Sequence, residues 1–253
     1  MSGWLEGDLT TIALCWRLDR RDGVALGFTS HDRSLVIGGL LYSAAPGMLP
    51  SAVSLSDGFE VDTLDVSGAL TSDAIRGDDL AAGRWDGARV RLFAVDWTDP
   101  AGAQLPLARG ELGGVTVRDG GLSAELRGAT ASLERPVVEA TSPECRAELG
   151  DRRCRIAMAG RRRIVAVTAV VDAVTIELAA AEPSANAYGY GRLRWIDGPN
   201  SGTASAILRS TGAWIVLRDA PYFAMAAGVL VEVSEGFDKL FATCRDRFAN
   251  ALN

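Results

Sequence analysis

The chain has 253 residues, 48% of them apolar, and carries 26 Lys and Arg against 32 Asp and Glu, a formal charge of −6 with a pI near 5.0. That is enough apolar chain to fill one large or two ordinary folded domains, and the acidic balance argues against a protein that wraps phosphates, which would gather Lys and Arg on one face. No apolar run approaches the ~20 residues that cross a bilayer, and residues 1–11 lack the basic and apolar segments of a signal peptide, so the expectation is a chain made in a bacterial cytoplasm without membrane insertion.

Taken from the N-terminus, residues 10–17 (TTIALCWR) predict a strand with Ile12, Leu14 and Trp16 on one face and Cys15 on the other. A turn at Asp22-Gly23 leads into a second strand over residues 24–28. SLVI and LLYSA flank Gly38-Gly39, which predicts a two-residue hairpin needing positive φ and an antiparallel start to the fold. Residues 71–83 predict a helix with Thr71 or Ser72 as N-cap and Ile75, Leu80 and Ala81 as its apolar positions, shortened or broken by Gly77. Residues 88–95 and the run LARGELGGVTVRDGGLSAELRG return to strand patterns with turn chemistry at Asp119-Gly120-Gly121.

Composition shifts at Arg135-Pro136, and the expected domains are 1–135 and 136–253. Beyond it, residues 163–178 read as a hairpin, 191–209 as two strands around Gly-Pro-Asn-Ser-Gly, and 213–217 and 229–233 continue the meander. The basic run Arg161-Arg162-Arg163 reads as a solvated loop and strand edge in preference to a site for an acidic partner. The last stretch, GFDKLFATCRDRFANALN, predicts an amphipathic helix with Leu240, Phe241, Cys244 and Phe248 turned inward. The expected fold is mainly β (α+β): two β-barrel-like or curled-sheet domains, a short mid-chain helix, and a C-terminal amphipathic helix that closes the second domain.

Catalytic signals are sparse. The single histidine, His31, sits in Thr-Ser-His-Asp and reads as a turn residue held by local hydrogen bonds; no G-x-S-x-G elbow or phosphate-binding glycine loop is present. Acidic residues such as Asp57, Glu60, Asp62 and Asp65 have no spacing that separates a catalytic pair from solvation. The four cysteines, at 15, 145, 154 and 244, lack the short-range framework of a disulfide-stapled domain. Cys145 and Cys154, with eight residues between them, are too widely spaced for a zinc knuckle and are either buried thiols or metal ligands.

Taken together, WRLDRRDGVALGFTSHDRSLVIGGLLY, SPECRAELGDRRCRI, GRLRWIDGPNSG and GFDKLFATCRDRFANALN resemble, in order and over nearly the whole chain, the baseplate hub protein of gene transfer agents and related long-tailed phages. The resemblance implies a structural component of the virion and not an enzyme. It implies a homo-oligomeric ring, a trimer, between the distal tail protein and the tip or fibre protein, with DNA passing through the lumen without specific binding. It further implies an iron-sulfur cluster, for which Cys145, Cys154 and Cys244 match three of four cysteine positions while Phe237 occupies the fourth. With that departure, a non-Cys ligand, Cys15, or an apolar filling of the site are the alternatives, the first being favoured. The rival functions are a tail-associated cell-wall hydrolase and a metal- or redox-binding protein.

Overall fold

The computed structural model describes residues 10–44, 63–68, 75–118, 121–128 and 141–251, with the backbone alone at 63–68, 114–118 and 121–127. By contact density the chain divides into two compact units, Met1–Val137 and Val138–Asn253.

The first unit is built on an eight-stranded sheet: β1 (Ile12–Asp19), β2 (Ala25–Thr29), β3 (Leu35–Ile37), β4 (Leu40–Ala44), β5 (Thr63–Gly68), β6 (Arg89–Asp96), β7 (Leu105–Arg118) and β8 (Gly121–Arg127), in the order β3-β4-β2-β1-β6-β7-β8-β5. Both faces of its centre are covered. Trp16 and Leu18 pack with Phe28, Trp85, Val90 and Leu92, while Ala13 and Cys15, on the opposite face of β1, pack with Tyr42, Phe93 and Val95. A strand apolar on both sides needs two cores, and that is what the pattern of β1 encodes. Gly38 and Gly39, at φ of 57° and 80°, make the expected β3–β4 hairpin.

The start of the fold is not wholly antiparallel, because β4 lies parallel to β2. Gly27 opposes Tyr42 there, and a Cβ on Gly27 would come within 2.8 Å of the Tyr42 ring, so the missing side chain lets the tyrosine lie over the neighbouring strand. The mid-chain helix α1 is only Gly77–Ala81; Asp78 and Asp79 favour its first turn through the helix dipole. Gly77 opens this helix instead of breaking it, and the expected caps Thr71 and Ser72 lie outside the described residues.

The second unit is a closed six-stranded barrel of β9 (Arg162–Val170), β10 (Thr175–Leu178), β11 (Arg192–Trp195), β12 (Ala204–Thr211), β13 (Trp214–Leu217) and β14 (Leu230–Ser234), ordered β10-β13-β12-β11-β14-β9. Every second side chain points in, and Val167, Ile176, Leu193, Trp195, Ile207, Ile215, Leu217, Val231 and Val233 fill the interior. Pairing of β9 with β10 completes the ring, so closure comes from strand hydrogen bonds and not from the C-terminal helix, contrary to the expectation.

That helix, α2 (Phe241–Asp246), is six residues long, and only half of the face that periodicity predicts turns inward: Cys244 and Phe248 are partly buried, Leu240 is 53% and Phe241 63% exposed, and Phe237 is buried at 6%. Residues 236–240 precede the helix, with Lys239 at φ 66°, so the 3.6-residue period does not apply where Phe237 turns inward.

Within the barrel unit, Glu182 ties loop to strand. Its carboxylate accepts the Ser210 hydroxyl, the Gly212 N–H at 3.0 Å and the Ala187 N–H at 3.1 Å. Burial pushes this carboxyl up, but the hydrogen bonds from Ser210, Gly212 and Ala187 outweigh it and hold the group below its ordinary range. A depressed carboxylate contributes stability that is present above its unfolded pKa, about 4.3, and is lost as pH falls through the folded value. Thermal melts of the Glu182→Gln variant should therefore lose less stability between about pH 5 and pH 3 than the parent does.

Candidate functional site

Residues 141–160 form a loop without regular secondary structure that carries two of the thiols. Asp151 organises it: its carboxylate accepts the N–H groups of Cys154 at 2.7 Å, Arg153 at 2.8 Å and Glu148 at 3.0 Å. The bond from the Cys154 N–H is the largest reason that its carboxyl lies below the usual range.

Contacts with the C-terminal segment then fasten the loop. The Cys145 N–H donates to the Lys239 carbonyl at 2.9 Å, and Lys239 Nζ returns to the Ala147 carbonyl at 2.6 Å and to Glu148 Oε1 at 2.8 Å. Asn250 Nδ2 donates to the Cys154 carbonyl at 2.7 Å, and the Cys244 thiol donates to the Asn250 carbonyl at 3.5 Å. The outcome is a cavity of about 190 Å³ whose wall includes Cys145, Cys154 and Cys244, with Phe237, Phe248, Ile156, Arg146 and Arg153. Burial, and behind it the proximity of Cys145 and Cys154, pushes the Cys244 thiol up.

Under the cavity lies an aromatic and ionic base. Phe237 and Phe248 meet edge to face, centroids 5.8 Å apart at 88°. The guanidinium carbons of Arg247 and Arg161 lie 4.7 and 5.1 Å from the centroid of the Phe248 ring, and both arginines bind Glu235, at 2.8 and 2.7 Å. Arg247 also donates to the carbonyls of Gly236 and Ala187. Arg161 is thus a structural cation, which corrects its reading as part of a solvated run; Arg162 and Arg163 are exposed as expected.

The three predicted thiols and Phe237 share one cavity, which Phe237 reaches from the segment that precedes α2. Cys15 belongs to the first unit, fully buried in β1 with its thiol 3.6 Å from Thr29 Oγ1. Asn250, Lys239, Glu235 and Arg247, which hold the cavity together, carried no sequence signal. His31 is held locally, Nδ1 accepting the Arg33 N–H at 3.0 Å and the ring 5.1 Å from that of Trp97.

Among the described residues no three His, Cys, Asp or Glu side chains are placed to hold one metal ion. Cys145, Cys154 and Cys244 line one cavity, and the fourth position presents a phenyl ring without a donor. The cavity offers three thiols and lacks the fourth donor of a cluster held by four cysteines.

Residues 1–157 match the family model described as baseplate hub protein, N-terminal attachment domain, and residues 186–253 match the one described as phage conserved hypothetical protein BR0599. Among solved structures the chain is similar to a chain of the virion of a native gene transfer agent particle, with 37% identity and a TM-score of 0.85 over 98% of this chain and 89% of that one. The comparison with curated proteins gives no match.

Proposed function

Because the chain belongs to the baseplate hub protein family, we propose that it is a structural component of a phage-like tail, serving as the hub between the distal tail protein and the tip or fibre protein. The observation that carries this is the likeness to a gene transfer agent virion chain along almost its full length. Its architecture suits the role: two β units with filled cores and a closed barrel resist deformation, and the described residues offer no histidine paired with a nucleophile. Assembly is as a closed ring, a trimer, around the DNA path, and the acidic chain lets the duplex pass without specific contacts. Antibody labelling of purified particles is expected to mark the tail tip, and a knockout to give tails without a baseplate; particles that lack the chain altogether would refute the assignment.

In the same reading Cys145, Cys154 and Cys244 hold an iron-sulfur cluster at the 190 Å³ cavity. When bound, such a group supplies a cross-link and no chemistry on a substrate. The protein's share is to bring the loop thiols and Cys244 to one wall, through Asn250 and Lys239, with Arg146 and Arg153 lining the same cavity beside the anionic group. Anaerobically purified protein should contain iron and acid-labile sulfide, and Phe237→Cys should raise both contents and the melting temperature. Absence of both elements, with Phe237→Cys inert, would leave the cysteines as packing residues.

A further inference from the structure

The outer wall of the barrel carries a second concavity, of about 430 Å³, that the thiol cavity does not explain. Its floor follows from strand register. Arg162 on β9 pairs with Ser234 on β14, Ser234 with Arg192 on β11, and Arg192 with Ala206 on β12, so four neighbouring strands present the outward row Arg162, Ser234, Arg192, Ala206. Two long cations alternate with two small residues, which leaves the wall open between them. Both arginines are exposed, and among the described residues neither is in an ion pair. The other charges of the groove are engaged: Lys239 with Glu148, and Glu235 with Arg161 and Arg247. Half-exposed Tyr190, at φ 61°, adds an aromatic face to the rim.

We propose that this groove docks an extended acidic segment of a neighbouring tail protein, with two carboxylates on one face of the segment, each gripped by one arginine. The dimensions agree. Arg162 and Arg192 are rooted two strand spacings apart, ~9.6 Å, and same-face side chains of an extended chain recur every ~6.8 Å, a difference that two long side chains absorb. Planar guanidinium groups take carboxylates in forked pairs. A nucleic acid is the poorer occupant, because two unpaired cations, with Glu148 and Glu235 also lining the groove, fall short of the ~6–10 phosphate contacts that a duplex binder makes.

The hub reading supplies only the class of the partner; the groove's chemistry is testable on the isolated full-length chain whether or not that reading holds. A fluorescent synthetic peptide alternating glutamate and alanine should bind, by anisotropy, at low salt, and the glutamine-alanine version should not. Arg162→Glu and Arg192→Glu should each weaken binding by about tenfold or more, and higher salt should weaken it further. Arg194→Glu should have a small effect, because Arg194 is paired with Glu232. These are exposed positions, so melting temperatures should stay within a few degrees and separate lost binding from lost fold. Absent binding, equal binding of the glutamine peptide, indifference to both arginines, or a DNA oligonucleotide bound in preference through them would overturn the proposal.

Discussion

Replacing Phe237 by aspartate is expected to destabilise the second unit by about 3–5 kcal/mol in denaturant melts, while Leu240→Asp changes it by about 0.5 kcal/mol or less. Phe237 is 6% exposed and stands edge-on to Phe248, so the substitution removes a packed ring and buries a carboxylate in its place. Leu240 is 53% exposed at the start of a six-residue helix and loses little burial. The pair discriminates sharply, because an inward-facing amphipathic helix would make Leu240→Asp the damaging change. A second readout comes from the cavity: with the phenyl ring gone, Cys244 and Cys154 should react faster with a thiol reagent in the folded protein. Equal destabilisation by the two variants would show that the C-terminal segment is seated differently.

The second large effect is expected at Glu235, which is 9% exposed and receives Arg161 and Arg247 at 2.7 and 2.8 Å. Glu235→Ala leaves two cations without their counter-charge beside the Phe248 ring. Removing one partner of a buried pair typically costs about 3–5 kcal/mol, but these arginine side chains remain 30% and 24% exposed and can rehydrate in part, so about 2–3 kcal/mol is expected. Arg161→Ala should cost less than Arg247→Ala, since Arg247 also satisfies the Gly236 and Ala187 carbonyls. Urea melts of the three variants measure this order, and a neutral Glu235→Ala would remove the ion cluster from any account of the unit's stability.

The sequence by itself determined most of the strands, because a half-buried strand must alternate and a tight hairpin must find residues tolerant of positive φ, as Gly38-Gly39 does. It also singled out Cys145, Cys154, Cys244 and Phe237, through the resemblance their surrounding motifs carry. Tertiary structure alone decided the parallel pairing of β4 with β2, the closure of the barrel through β14 with β9 and β10 with β13, and the outward turn of Leu240 and Phe241. Each of these depends on contacts between residues remote in the chain or on where a helix begins, and local periodicity contains neither. The clasp at the thiols shows this most clearly. Asn250 meets Cys154 across 96 positions and Lys239 meets Ala147 across 92, and neither residue differs in sequence from an ordinary surface polar side chain. Only the fold, by bringing their donors to carbonyls on the cysteine loop, makes them the residues that hold the three thiols around one cavity.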